Sequence, residues 1–161
     1  MSEHRTHRTF VSYIDKSREY YAAQGYEKPY GWAHCEDVPF TPLGKPLALC
    51  RIGLVTTADL EGRAGSRSSK LFVAPNAAAK SGLFTEKSWD RESTHTDDPE
   101  TYLPIARLQE QVERGCIGSL SPRFYGVPTD YSQRLTLEQD APQIAAWTKE
   151  DAVDAAVLIP L

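Results

Sequence analysis

His95-Thr96-Asp97-Asp98 places an imidazole two residues from a carboxylate. On an extended backbone alternate side chains share a face, so His95 and Asp97 can meet as a general base and the carboxylate that orients it. A second reading stays open. Asp97 and Asp98 stand just ahead of a helical stretch, where acidic side chains cap free N–H groups and favour the helix dipole. His34-Cys35-Glu36-Asp37 packs four ligand types into four residues, but adjacent side chains rarely converge on one ion. No metal site is expected there; a surface turn with Cys35 half-buried is.

Thr56-Thr57 and the ADLEGRAGS loop follow the apolar stretch LCRIGLVTT, residues 49–57. Ligands of open α/β sheets bind beyond the carboxyl ends of such strands. Arg63 and Arg67 in that loop suit an anionic substrate, or are solvated loop arginines. The loop has neither GxGxxG nor GxxxxGK[ST], which argues against dinucleotide and P-loop phosphate binding. Cys50 and Cys116 have no base nearby in sequence, and no serine stands in a GxSxG elbow. No cofactor is visible in these residues.

These groups need elements to hold them. A first helix is expected over Thr9–Gly25, with Phe10, Tyr13, Ile14, Ser17 and Tyr21 on one stripe that reads as core packing. A connector with Pro29, Pro39, Pro42 and Pro46 follows, pinned by Trp32, Phe40 and Leu43. Ile52, Leu54 and Val55 mark a central parallel strand, in which Gly53 permits close approach. Residues 70–73 read as a short strand and 74–88 as variable loop. Ile105, Leu108 and Val112 face one side of a second helix between Pro104 and Gly115.

RFYG, residues 123–126, falls in a loop punctuated by prolines. Asp140 is the expected N-cap of a third helix, with Gln143 as capping-box partner and Ile144, Trp147 and Thr148 along one side. Ala155–Ile159 reads as a strand buried on both faces. The pattern predicts an α/β fold, a Rossmann-like three-layer domain on a parallel sheet, incomplete because only two strands are evident. The expected organisation is an N-terminal helical segment (1–28), a Pro-rich connector (29–48) and the α/β domain (49–161).

Eighteen basic and 22 acidic residues give a net charge of −4, unlike the basic footprint of a nucleic-acid binder. The polar opening MSEHRTHRTF has no apolar signal region, and no apolar run approaches a membrane span. Three cysteines without a CxxC pair suit reduced thiols, so a cytoplasmic location with neither membrane nor nucleic-acid partners is expected.

PFTPLGKPLALCRIGLVTTADL (39–60), LPIARLQEQVERGCIGSLSPRFYG (103–126) and DAVDAAVLIPL (151–161) together resemble the selenoprotein B family of the glycine, sarcosine, betaine and D-proline reductases. SWDRESTHTDD is similar to that family's Ser-His-x-His/Asp segment, with Thr94 ahead of His95. The resemblance implies reductive attack on a carbon–nitrogen bond of a small amine or amino-acid-like substrate. It implies a selenocysteine, or a cysteine, just after the final strand, and partners that are other reductase subunits or further copies of the chain. Position and resemblance together give His95 and Asp97 as catalytic residues. They give Thr56, Thr57, Arg63, Arg67 and Tyr125 as substrate-binding residues.

On this reading the 161-residue chain stops at a selenocysteine codon and is inactive alone. The alternative is a short non-enzymatic α/β protein that binds a ligand or partner. Sequencing the gene past the Leu161 codon separates them. UGA followed by open frame with an early cysteine codon is expected; UAA or UAG selects the alternative.

Overall fold

The computed structural model describes residues 12–26, 28, 31, 33–39, 41–61, 70–80, 82–85, 96–129 and 132–161. The chain divides into two compact units, Met1–Pro39 and Phe40–Leu161. In the first, helix α1 spans Tyr13–Ala23, and the Ser12 hydroxyl caps it by accepting from the Asp15 N–H at 3.3 Å. The expected apolar stripe is not buried: Tyr13 and Ile14 are exposed and Ser17 is buried. Phe10, Trp32 and Phe40 lie outside the described residues, and Leu43 is exposed rather than pinned.

The second unit is built on β1 (Arg51–Thr56), whose residues 52–56 are all buried. Its apolar residues are β-branched or γ-branched and uninterrupted by charge, as a strand covered on both faces requires. One edge of β1 pairs in parallel with β7 (Ala155–Ile159), from Ile52↔Ala155 to Thr56↔Ile159. The other edge is shared by two short parallel strands. β5 (Ser119–Leu120) takes Arg51 and Ile52, and β6 (Arg123–Gly126) takes Val55 and Thr56. Ser121-Pro122 separates them, and the Ser121 N–H still donates to the Ile52 carbonyl at 2.8 Å. β3 (Phe72–Pro75) closes the far side of β6 antiparallel. A small separate pair joins β2 (Asp59–Leu60) to β4 (Leu83–Phe84).

The architecture is therefore α/β on a mostly parallel five-stranded sheet. RFYG is a strand and not a loop, because Pro122 and Pro128 bound it without interrupting its four residues. Within the stretch expected to be loop, Ala74, Ala79 and Leu83 are buried, and their apolar spacing carries β3, a 3-10 turn at Asn76–Lys80 and β4.

Helix α2 (Ile105–Glu113) covers one face. Ile105 packs against the cluster holding Leu54, Phe72, Phe124 and Leu161, whereas Val112 packs against Cys50, Ile52 and Ile117. The helix thus runs antiparallel to β1 and begins at the carboxyl end of the sheet. Phe72 crosses the Gly126 position opposite it, and a Cβ there would overlap the Phe72 ring. Gly126 is the space into which that aromatic packs. On the opposite face a Cβ on Gly53 would lie 3.1 Å from Val153 and 3.2 Å from the Tyr125 ring, which confirms the close approach expected there.

Asp140 does not cap a helix. It has helical backbone angles (φ −69°, ψ −53°) inside a run that passes from α3 (Gln133–Leu135) through a π-helical turn (Thr136–Asp140) into α4 (Ala141–Glu150). A cap needs an extended backbone, so the Asp140 carboxylate serves instead as the buried partner of Lys70, at 2.6 Å. Ser132 caps this run by accepting from the Leu135 N–H.

The end of α4 is a Schellman turn: the Ala152 N–H donates to the Lys149 carbonyl and the Val153 N–H to the Thr148 carbonyl. Ala152 occupies the left-handed position at φ 51°, where glycine carries no steric penalty. Ala152→Gly is expected to stabilise the protein by about 1 kcal/mol, measured as a rise in the urea midpoint at unchanged m-value. A fall in the midpoint would contradict this reading of the turn.

Candidate functional site

Two polar regions lie at opposite ends of the sheet, and they differ in how fully their groups are committed. At the amino end, the Asp151 carboxylate follows α4. Its Oδ2 accepts from Tyr125 Oη at 2.6 Å, Arg123 Nε at 2.7 Å and, weakly, Ser121 Oγ at 3.5 Å. Arg123 also pairs with Glu150 at 3.0 Å. Arg51 donates to the Asp151 carbonyl at 2.7 Å, and its own N–H is accepted by Asp154, which also pairs with Lys45 at 2.8 Å.

Burial pushes the Asp151 carboxyl up, but bonds from Arg123 and Tyr125 outweigh it and hold the acid below the usual range. The Lys45 contact, helped by the Arg51 N–H, lowers Asp154. Tyr125 moves the other way. Burial first, and its bond to Asp151 second, push its hydroxyl up to about 12.

At the carboxyl end, β1, β6 and β7 finish side by side. The Thr56 hydroxyl is buried and accepts from the Ala58 N–H at 3.2 Å, while the Thr56 carbonyl accepts from the Val127 N–H at 2.8 Å. The Thr57 N–H donates to the Ile159 carbonyl, and the Thr57 hydroxyl accepts from the Leu161 N–H at 2.8 Å. A hydroxyl has a donor as well as lone pairs. Among the described residues nothing accepts the Thr57 proton, and Thr57 is half-buried.

Asp59 is buried beside it, with Oδ1 accepting from the Leu60 N–H at 2.9 Å. Sequence reasoning passed over this carboxylate as part of a polar loop. Its position between apolar Ala58 and Leu60, straight after a buried strand, is the signal that marks it.

The expected residues sort accordingly. Thr56 and Thr57 are together at the carboxyl end. Tyr125 belongs to the amino-end network: it is fully buried, with its hydroxyl shared between Asp151 and Ser121. Asp97 is exposed on the segment leading to α2, which by the direction of that helix is the carboxyl end of the sheet. Arg63, Arg67 and His95 lie outside the described residues.

Capping falls to Asp98 and, unexpectedly, Glu100. Asp98 accepts from the Glu100 N–H at a 3-10 turn (Pro99–Thr101). The Glu100 carboxylate accepts from the Ala106 and Arg107 N–H groups at the start of α2. Burial, then Asp98 and Asp97, raise the Tyr102 phenol above its ordinary value.

Cys50 is fully buried ahead of β1, as a small apolar residue would be. Cys116 is exposed ahead of β5, and Cys35 is exposed rather than half-buried. His34, Glu36 and Asp37 are exposed as well, and among the described residues no three His, Cys, Asp or Glu side chains gather as a metal site. Nor is any helix among them long and apolar enough to cross a membrane.

The Tyr125 shift carries a definite sign. A phenol raised from about 10 to about 12 contributes stability that is complete below pH 10 and lost as pH rises toward 12. Two units amount to on the order of 2–3 kcal/mol. The stability difference between the natural chain and Tyr125→Phe should therefore be flat up to about pH 10 and shrink above it. Urea unfolding across that range tests this; a difference that persists to pH 12 would contradict it. No family model, curated protein or solved structure matches the chain.

Proposed function

We propose that this chain is the substrate-holding component of a thiol- or selenol-dependent reductase acting on a small amine or amino-acid-like substrate. The observation that carries the reading is the division between the two ends of the Phe40–Leu161 unit. The Thr57 hydroxyl, whose hydrogen no described residue accepts, and the buried acid Asp59 stand where parallel strands finish, the favoured place for a ligand. The unit's thiols, Cys50 and Cys116, precede strands and so stand at the other end.

The connections leaving β1 and β6 sharpen the reading. α2 packs on the Phe124 face, whereas Asp151, after α4, is bonded to Tyr125, whose side chain points to the opposite face. The two crossovers thus lie on opposite faces, an arrangement that opens a crevice at the carboxyl ends. In that crevice Thr57 donates to the substrate carboxylate. The redox nucleophile is the selenol or thiol that the resemblance implies after the final strand; it forms a bond to carbon as the carbon–nitrogen bond breaks and the amine leaves. The Rossmann-like, three-layer description and the roles of His95, Asp97, Arg63 and Arg67 belong to the same proposal and rest on the resemblance.

Calorimetric titration with glycine, sarcosine, betaine and proline tests it. At least one should bind, Thr57→Val should weaken that binding about tenfold, as loss of one bond to a charged group does, and Thr57→Ser should restore it. No binding, or binding indifferent to Thr57→Val, would count against the site. Reduction of substrate by the chain alone, abolished by thiol alkylation, would place the nucleophile among Cys35, Cys50 and Cys116 and overturn the division of labour.

A further inference from the structure

Among the described residues β7 is an edge strand whose middle residues, Ala156, Val157 and Leu158, are exposed. Val157 is 43% and Leu158 72% exposed, and among the described residues β7 pairs with β1 alone. The Thr57 N–H donates to the Ile159 carbonyl, so Ile159, Val157 and Ala155 direct their backbone groups toward β1. Ala156 and Leu158 alternate with them and turn their N–H and C=O outward, to the open edge.

We propose that this edge is covered by β7 of a second copy of the chain, paired antiparallel about a two-fold axis at Val157. The strand is self-complementary in that register. Ala155 falls opposite Ile159 and Ala156 opposite Leu158, so every large side chain meets a small one and Val157 meets its own copy. The outward residues Ala156 and Leu158 then form the hydrogen-bonded pairs: each N–H finds the carbonyl of its opposite number, and the two residues in two copies give a four-bond ladder.

Charge favours this occupant too. No ionisable group lies between Ala155 and Ile159, and Asp154, already paired with Lys45, falls opposite Pro160 rather than another acid. Pro160 has no N–H to extend the ladder, and the Asp154 N–H is already given to the Arg51 carbonyl, so the pairing ends there. An isologous contact of this kind closes as a dimer and does not propagate. The proposal is independent of the substrate and its site.

Sedimentation of the 161-residue chain from about 1 µM to about 1 mM, the range of weak association, provides the test. The mass should rise from 18.0 kDa toward twice that value. Leu158→Lys, at an exposed position, should raise the dissociation constant at least about tenfold while leaving the melting temperature unchanged; Ala156→Lys is the second variant with the same expectation. In a Cys35→Ser, Cys116→Ser background, oxidation of Val157→Cys should yield a disulfide-linked dimer, since non-hydrogen-bonded antiparallel pairs bring Cα atoms within bridging distance. Leu137→Cys, more exposed than Val157 but off the strand, should not cross-link. A chain monomeric at every concentration, a dimer untouched by both lysine variants, or equal cross-linking through Leu137→Cys would overturn the proposal.

Discussion

The carboxylate of Asp151 holds the second unit in its topology. An acid just beyond the last turn of α4 sits against the negative end of the helix dipole, an unfavourable place for it alone. Two arginines reverse the balance. Arg123 bonds the carboxylate and Arg51 the carbonyl of the same residue, while Tyr125 adds a third donor from the far face of β6. One residue therefore fastens the end of α4 to β6 and β1 together. Only then does the chain re-enter the sheet as β7, in register with β1 over five residue pairs. Left-handed Ala152 is the local cost of that turn, which the converging hydrogen bonds offset.

From this fastening the character of the two ends follows. The amino end spends its polar groups on one another: Arg51, Arg123, Asp151, Asp154 and Tyr125 are mutually bonded, and these contacts hold Asp151 and Asp154 down while Arg123 and Tyr125 are raised. The carboxyl end keeps its backbone paired through Thr56 and Thr57 but leaves the Thr57 proton unspent among the described residues. The bonded polar network thus lies at the amino end of the strands, and the Thr57 hydroxyl at the carboxyl end. Tyr125 shows how finely this is divided. Its backbone pairs with Val55 near the carboxyl end, yet its long side chain carries the hydroxyl back to Asp151.

Several elements were legible because one physical signal dominated them. β1 announced itself by an apolar run free of charge, and α2 by a one-sided stripe between Pro104 and Gly115, the latter at φ 71°. β5 and β6 were hidden because each is very short, and proline at 122 and 128 reads locally as loop even where it merely bounds a strand. Asp140 was misread because Asp followed by Pro two residues later imitates a helix start; its buried partner Lys70 is seventy positions away and invisible to local pattern. The position of Thr56-Thr57 at the carboxyl end of β1 was legible in the sequence. The direction of the Tyr125 side chain, toward Asp151, and the burial of Asp59 were not legible, because both are set by residues distant in the sequence.

β7 exposes the limit of periodicity most clearly. An unbroken apolar run states that a strand must be covered, but says nothing about what covers it. Ala155–Ile159 met the composition of a central strand and took an edge position, with Leu158 largely in solvent. An edge of this kind is ordinarily blunted by charge, a bulge or proline along its length. Here the flanking residues Asp154 and Pro160 confine the edge without blunting its middle. The side chains are small on one side of Val157 (Ala155, Ala156) and large on the other (Leu158, Ile159), so the strand complements its own reversed copy, a property that neither pairing with β1 nor burial in this unit requires. A self-complementary, uncharged and bounded edge suits a partner related by a two-fold axis, which the same five residues of another copy provide.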